Sequence, residues 1–265
     1  MTFKGVVFYS SYIPSETDVF RGEKFLQTMR SHFSDYLICI GIQVNSCHKW
    51  IEKILEYDDL EIIHRVSDEK LYVNSDVVGY QMAIKLFYEN KKNYKFQKNS
   101  YAWFGHTKGV TTKSMEYHNW VFPNFWENRD TIEKRLLDKK EAGCFGSHLS
   151  YLPDYNTKKI KSIWDEYYNG VLDYEPIKYM YVNTFFVIKF EIFYKMVSQI
   201  NEKFFSQKIN GVNGEGDRYF FERDFIHFVD MMGYQPIYDG FGANVSWRRV
   251  NENDYYSHLS KWIKN

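Results

Sequence analysis

The residue types best suited to chemistry fall in one short stretch that reads F-G-H-T-K-G. It places an imidazole, a hydroxyl and an ammonium group between two glycines, directly after a four-residue apolar run. Its members are Gly105, His106, Thr107, Lys108 and Gly109. The cation can neutralise a phosphate, and glycines let backbone N–H groups approach one closely. The stretch predicts a phosphate-binding strand end, although a solvated loop whose glycines only turn the chain would have the same composition.

Positive charge is concentrated around this motif. From Lys91 to Lys113 there are six lysines and no Asp or Glu, whereas the whole chain balances 34 basic against 34 acidic residues. A local excess in a neutral chain indicates a site for an anion rather than a general affinity for nucleic acid.

Three other predicted strands also end in polar residues. Ser10 and Ser11 end the first strand, Asn45-Ser46 follows the second, and the third is followed by a segment that contains Asn74 and Asp76. This last segment also offers N-caps for the next helix. Because ligands of doubly wound sheets lie at the carboxyl ends of the strands, we expect these side chains to meet the F-G-H-T-K-G motif on one rim.

Apolar runs and helical spacing alternate along the first part of the chain. Strands are predicted at 5–9, 36–42, 60–63 and 101–104, with helices at 18–33, 47–57 and 77–87. In the first helix, Phe20, Phe25, Met29 and Phe33 are placed near one face. The alternation predicts an α/β fold with a mostly parallel central sheet flanked by helices and right-handed crossovers. We expect a single domain, with a nucleotide-binding half at 1–113 and an acceptor and catalytic half at 114–265.

The second half of the chain is less regular. The pattern predicts helix over much of 115–137, short strands at 142–147 and 236–238, one strand at 179–189 followed by a helix through 200, and a helix at 217–232. The aromatic residues between Trp120 and Trp126 suit stacking on a sugar or a base, and they suit core packing equally well.

The helix predicted at 217–232 carries a candidate general base. Glu222 lies at the edge of its apolar surface, where partial desolvation would raise the pKa of the carboxyl group toward a base's working range. The alternative is a surface carboxylate paired with Arg218, four residues earlier. Asp217 is a second catalytic candidate, with a helix cap as its alternative role. The glycine-rich loop at 210–216 would act as a lid.

Several classes of protein are excluded or disfavoured. The chain has no G-x-G-x-x-G after its first strand, no P-loop and no H-E-x-x-H, which argues against dinucleotide oxidoreductases, P-loop NTPases and zincin metalloproteases. The three cysteines, Cys39, Cys47 and Cys144, lack metal-ligand spacing and are expected to be reduced and mostly buried. No apolar run approaches the length of a membrane span, and the first residues lack a signal-peptide core, so we expect a soluble, cytoplasmic protein.

Taken in order, several segments resemble a group of small bacterial and viral glycosyltransferase-like proteins with a nucleotide-sugar-binding fold of the GT-A type. The F-G-H-T-K-G motif and Val110 resemble its "H-[TN]-K-G-V" signature, and 117–120 fits the helix that follows it. The strand at 142–147 is similar to "D-x-V-G", and 181–189 to "S-G-N-F-W-W-A-K". The helix containing Glu222 resembles "R-Y-x-x-E". These segments lie in about the last two thirds of the chain.

The resemblance implies a transferase that uses a nucleotide-sugar donor, and a UDP-sugar is the donor expected ahead of the others. The resemblance also implies donor contacts at His106 and Lys108, and an acid/base or acceptor contact at Glu222. The polar strand ends add Ser10, Ser11, Asn74, Asp76, Thr107 and Gly109 as expected donor contacts. Expected acceptor contacts are Asn183, Thr184 and Arg218. Many GT-A enzymes hold a divalent cation with Asp-x-Asp, whereas this chain has His106-Thr107-Lys108 at the equivalent strand end. Lys108 therefore replaces the cation's charge or other groups bind the metal.

Two acceptors and one non-enzymatic role stay open at this stage. The resemblance implies a surface polysaccharide or a lipid-linked glycan as the acceptor. A hydroxymethylated base in phage DNA is the alternative, and the lysines from Lys91 to Lys113 would then supply the contact with DNA. A binding module for sugars or nucleotides that keeps the fold without turnover is the third possibility.

Overall fold

The computed structural model of the chain describes residues 1–71, 76–107, 125–146, 149–151, 162, 165–169, 179–181, 185–209, 221, 229 and 235–238. Within them the strands are β1 (Thr2–Ser11), β2 (Tyr36–Ile42), β3 (Ile62–Val66), β4 (Lys95–His106), β5 (Ala142–Gly146), β6 (Leu149–Tyr151), β7 (Tyr179–Tyr181), β8 (Phe186–Lys189) and β9 (Gln235–Tyr238). The helices are α1 (Val19–His32), α2 (His48–Leu55), α3 (Val77–Asn90), α4 (Arg129–Asp138), α5 (Phe190–Val197) and α6 (Lys203–Ser206).

Seven of these strands form one mixed sheet in the order β3-β2-β1-β4-β8-β5-β9. The neighbours β3–β2, β2–β1, β1–β4 and β5–β9 are parallel, and only β8 runs antiparallel to its two neighbours. Strands β6 and β7 pair with each other in a separate antiparallel ribbon. The prediction of an α/β fold with a mostly parallel sheet is therefore confirmed.

Helices cover both faces of the sheet because its central strands are apolar on both sides. All seven residues of β2 are buried. In β1, Val6 and Phe8 face a first core that contains buried residues of α3, α5 and α6. Val7 and Tyr9 alternate with them and face a second core that contains buried residues of α1, α2 and α4. The period of two along β1 thus divides the core into two layers.

A buried carboxylate joins α4 to the amino end of the sheet. Glu133 Oε1 accepts hydrogen bonds from the Tyr36 hydroxyl and from Trp103 Nε1, the latter at 2.9 Å, and Oε2 lies 2.9 Å from Lys4 Nζ. The Glu133 carbonyl also accepts from the Tyr101 hydroxyl at 2.8 Å. Three strands and one helix therefore meet at a single residue.

Some predicted boundaries differ from the structure. The strand predicted at 60–63 runs from Ile62 to Val66, and the one predicted at 179–189 is divided into β7 and β8, which belong to different sheets. Phe20 is 58% exposed, so its placement on the buried face of α1 was wrong. The buried stripe begins at Val19 instead, which lies about 100° away from Phe20 around the helix. Phe125 and Trp126 are core residues, not stacking platforms.

All three cysteines are described and none forms a disulfide. Cys39 and Cys144 are buried, and Cys47 is partly exposed. The expectation of free, mostly buried thiols is confirmed.

Candidate functional site

The candidate site lies where the strand order reverses. From β1 the chain builds outward to β2 and β3, then returns through α3 to place β4 on the other side of β1. The carboxyl ends of β1 and β4 are in register, with Ser10 opposite His106. In open α/β sheets such a reversal leaves a crevice at the carboxyl ends of the two strands, and ligands bind there.

The start of α3 is held tightly against this crevice. Ser10 Oγ donates a hydrogen bond to the Asp76 carbonyl at 2.6 Å. A Cβ at Gly79 would lie 2.1 Å from Ser10 Oγ, and one at Gly41 would lie 1.8 Å from the Gly79 carbonyl oxygen. Both positions therefore require glycine, and this close approach fixes Asp76 beside the end of β1.

Asp76 and His106 face each other across the rim. Asp76 Oδ2 is 3.8 Å from His106 Nε2, and their side chains are 18% and 10% exposed. The His106 ring lies between Tyr80 and Phe185, with centroids 6.5 and 5.0 Å away. The distance is too long for a hydrogen bond and becomes that of an ion pair when His106 is protonated. A carboxylate and an imidazole are thus placed side by side on the rim.

Three predicted donor contacts have structural partners instead. Ser10 is 1% exposed and uses its one hydroxyl proton on the Asp76 carbonyl, so it positions Asp76 rather than contacting a donor. The Thr107 hydroxyl accepts from the Tyr12 N–H at 2.8 Å and donates to the Tyr12 carbonyl at 3.0 Å, so its one proton is used. Ser11 is fully buried and accepts from Trp50 Nε1 at 2.8 Å. This placement argues against a donor contact for Ser11 and makes Thr107 a residue that positions the rim loop.

The polar residues that follow β2 and β3 have a similar supporting role. Ser46 Oγ accepts from the Ile13 N–H at 3.3 Å, and Ser67 Oγ accepts from the Val44 N–H at 3.0 Å. Gln43, which is 3% exposed, follows β2 directly, and its N–H donates to the Ser11 carbonyl. Sequence reasoning named Ser46 for the rim but missed Gln43, whose position directly after a buried strand was the available signal.

The lysines counted around the motif do not form one patch with His106. Lys91 and Lys92 lie just before β4, and Lys95 and Lys98 lie at its amino end. Because β4 has 12 residues, Lys95 and His106 are separated by about 36 Å along an extended strand. Four of the six lysines are therefore remote from the rim, which corrects the expectation that all of them serve one anion site.

Several predicted site residues lie outside the described part of the chain. These are Asn74, Lys108, Gly109, Asn183, Thr184, Asp217, Arg218 and Glu222. Phe221 lies in the segment predicted as the 217–232 helix, and the structure describes it. Its side chain is buried against Tyr80 and Phe104, with ring centroids 4.9 and 6.1 Å away.

No protein-family model matches the chain, and no curated protein sequence matches it. Within the described ranges, no group of three or more His, Cys, Asp or Glu side chains is placed to hold a metal ion. In the same ranges no helix combines the length and the apolar character needed to cross a bilayer.

Proposed function

We propose that the chain is a glycosyltransferase of the GT-A type that transfers a sugar from a nucleotide-activated donor to an acceptor hydroxyl. The observation that carries the proposal is the rim at the carboxyl ends of β1 and β4, where Ser10 holds Asp76 opposite His106. The antiparallel strand β8, in the interior of the sheet beside β4, interrupts the run of parallel strands from which the two halves of the sheet in dinucleotide-binding enzymes are built. This difference agrees with the absence of their glycine fingerprint from the sequence.

The roles follow from the chemistry of the side chains. Asp76 accepts hydrogen bonds from the donor's nucleoside, and His106 donates to its diphosphate. Lys108, which follows Thr107 in the chain, supplies the positive charge that stabilises the leaving diphosphate. Glu222 is the general base.

With Glu222 as the base, the transfer is a single displacement at the anomeric carbon that inverts its configuration; a retaining reaction would not use Glu222 in this way. The acceptor oxygen forms a bond to that carbon while the bond from the carbon to the donor's phosphate oxygen breaks. The electron pair of the broken bond leaves on the nucleoside diphosphate, and the proton of the acceptor hydroxyl passes to the Glu222 carboxylate. The acceptor is a surface polysaccharide or glycolipid in this proposal.

The donor is tested by thermal shift against UDP-, GDP-, CMP- and dTDP-sugars, with and without Mn²⁺. Asp76→Asn and His106→Gln should each weaken the preferred donor roughly tenfold, as expected for one hydrogen bond to a charged group. Asp58→Asn, the same change on an exposed carboxylate after α2, is the matched control. Unchanged donor affinity in both rim variants would remove the crevice as the donor site.

The chemistry is tested by transfer and donor hydrolysis. Lys108→Ala should weaken donor binding, whereas Glu222→Gln should bind the donor normally and fail to transfer. Full activity in both variants would discard these roles. Donor binding without hydrolysis or transfer across many acceptors would instead identify a binding module. Salt-dependent retention on hydroxymethylated DNA would favour the DNA acceptor.

A further inference from the structure

Arg21 carries a guanidinium group that the protein encloses without satisfying it. Its side chain is 14% exposed, and its Nε and Nη1 atoms are buried without a hydrogen-bond acceptor. The nearest carboxylate oxygen, Asp18 Oδ1, is 3.5 Å from Nε, beyond the usual range of an N–H···O bond. Enclosed N–H groups without acceptors are costly, so a guanidinium that Asp18 balances only at this longer distance indicates that a further acceptor is missing.

Arg21 belongs to the same rim as the proposed donor site. It lies in the first turn of α1, which follows the carboxyl end of β1 through the loop at 12–18. On the opposite side of α1, Glu23 pairs with Lys53 of α2, so Arg21 is on the side away from α2. Phe25, one turn after Arg21, contacts Trp126 with ring centroids 6.5 Å apart.

Contacts continue from Trp126 toward the crevice. Its ring centroid is 6.4 Å from that of Phe185, and Phe185 is 5.0 Å from His106. A Cβ at Gly105, the residue before His106, would lie 3.2 Å from the Trp126 ring. The side of α1 that carries Arg21 is therefore the side that faces the end of β4.

We propose that Arg21 binds a phosphate group, and specifically the diphosphate of the donor; this second part rests on the proposed function. The planar guanidinium presents two parallel N–H groups to two phosphate oxygens, a geometry that an ammonium group cannot reproduce. Nη2 is not among the buried atoms that lack a partner, and in this proposal it is the atom that a ligand reaches first. Binding through both N–H groups then requires the guanidinium to rotate toward the surface. Asp18 partly balances the charge of Arg21 while the ligand is absent.

The test is titration calorimetry of the full chain with inorganic pyrophosphate and, separately, with UDP. Arg21→Gln should weaken both ligands by roughly ten- to a hundredfold, the loss expected for one hydrogen-bonded charge contact. Arg21→Lys should recover only part of the affinity because it lacks the fork. Uridine, which has no phosphate, should bind equally to wild type and variant.

A matched control exists on the same helix. Arg30 is nine residues further along α1, about 13 Å away, and its Nη2 is paired with Asp59 Oδ2 at 2.7 Å. Arg30→Gln removes the same charge and should leave the affinity for pyrophosphate unchanged. If Arg21→Gln does not fold because Asp18 is left buried and unpaired, the double variant Asp18→Asn/Arg21→Gln removes both charges and gives the same readout.

The outcomes separate this inference from the proposed function. It is overturned if wild type does not bind pyrophosphate, if the Arg21 variants bind it as tightly as wild type, or if Arg30→Gln weakens it equally. Pyrophosphate binding that depends on Arg21, without binding or turnover of any nucleotide-sugar, would keep the anion site and refute the transferase. If Arg21→Gln turns over a nucleotide-sugar with an unchanged KM, the transferase is kept and the role of Arg21 in binding the diphosphate is refuted.

Discussion

Gly41→Ala tests the packing that sets the geometry of the rim. The added methyl carbon would lie 1.8 Å from the Gly79 carbonyl oxygen and 2.9 Å from the Ala83 nitrogen. Both are backbone atoms of α3, so no side-chain rotation can relieve the overlap. Restoring an ordinary contact of 3.4 Å to the oxygen requires α3 to move away from β2 by about 1.6 Å, the difference between the two distances.

This movement has a cost that can be bounded. Overfilling a packed core costs about 1–3 kcal/mol. The helix that must move buries ten of its residues, and a gap of 0.5–1 Å already loses a quarter to a half of each dispersion contact. We therefore place the packing cost near the top of that range, at about 3 kcal/mol. Alanine also lowers the backbone entropy of the unfolded chain, which offsets about 0.5–1 kcal/mol of this packing cost. The net loss in the free energy of unfolding should be at least about 2 kcal/mol.

The assay is urea unfolding followed by intrinsic fluorescence, with the midpoint compared at constant slope. Gly105→Ala is the matched control, since it also adds a methyl group to a buried strand in the interior of the sheet. Its nearest neighbours are the side chains of Trp126 and Phe185, at 3.2 and 3.4 Å, which can yield slightly. It should stay within about 1 kcal/mol of wild type. Equal midpoints for Gly41→Ala and wild type, or equal losses in the two variants, would refute the argument.

Two further predictions concern groups away from the crevice. Burial and the neighbouring Glu133 raise the pKa of Tyr36, and they raise that of Tyr101 to about 12, whereas an unfolded tyrosine ionises near pH 10. The unfolded state therefore loses protons first, and the free energy of unfolding should fall as the pH rises above about 10; urea midpoints between about pH 9 and 12 measure this. A slope that Tyr101→Phe leaves unchanged would contradict it. Trp50→Phe removes the hydrogen bond to Ser11 and should cost about 1–3 kcal/mol; in a double-mutant cycle with Ser11→Ala, strictly additive losses would count against that bond.

The central strands could be predicted because a short continuous apolar run is stable only where both of its faces are covered, as they are in the middle of a sheet with helices on both sides. This holds for β2, whose predicted and observed bounds agree. The edge strand β3 was harder to predict. Leu60, 80% exposed, suggested its start, yet the Ile62 N–H closes a turn onto the Asp59 carbonyl and the strand begins there. It continues through His64, whose polarity is tolerated at an edge.

The rim was predictable in position but not in the roles of its side chains. A polar residue at a strand end is visible in the sequence, whereas its partner is not. Thr107 bonds to Tyr12, 95 residues earlier, and Ser11 bonds to Trp50, 39 residues later. Arg21 gave no signal at all, because N–H groups that lack acceptors are recognised only from their surroundings. The count of lysines was misleading for a related reason, since an extended strand carries neighbours in sequence far apart in space.

The carboxylate that closes the amino end of the sheet has a consequence for synthesis of the chain. Tyr36 and Trp103 lie in strands that are translated before α4, and their O–H and N–H groups have their acceptor in Glu133 of that helix. While α4 is absent, its side of these strands is open and both donors bond to water instead. The water-free, fully paired form of this end of the sheet is therefore completed only after α4 has been translated.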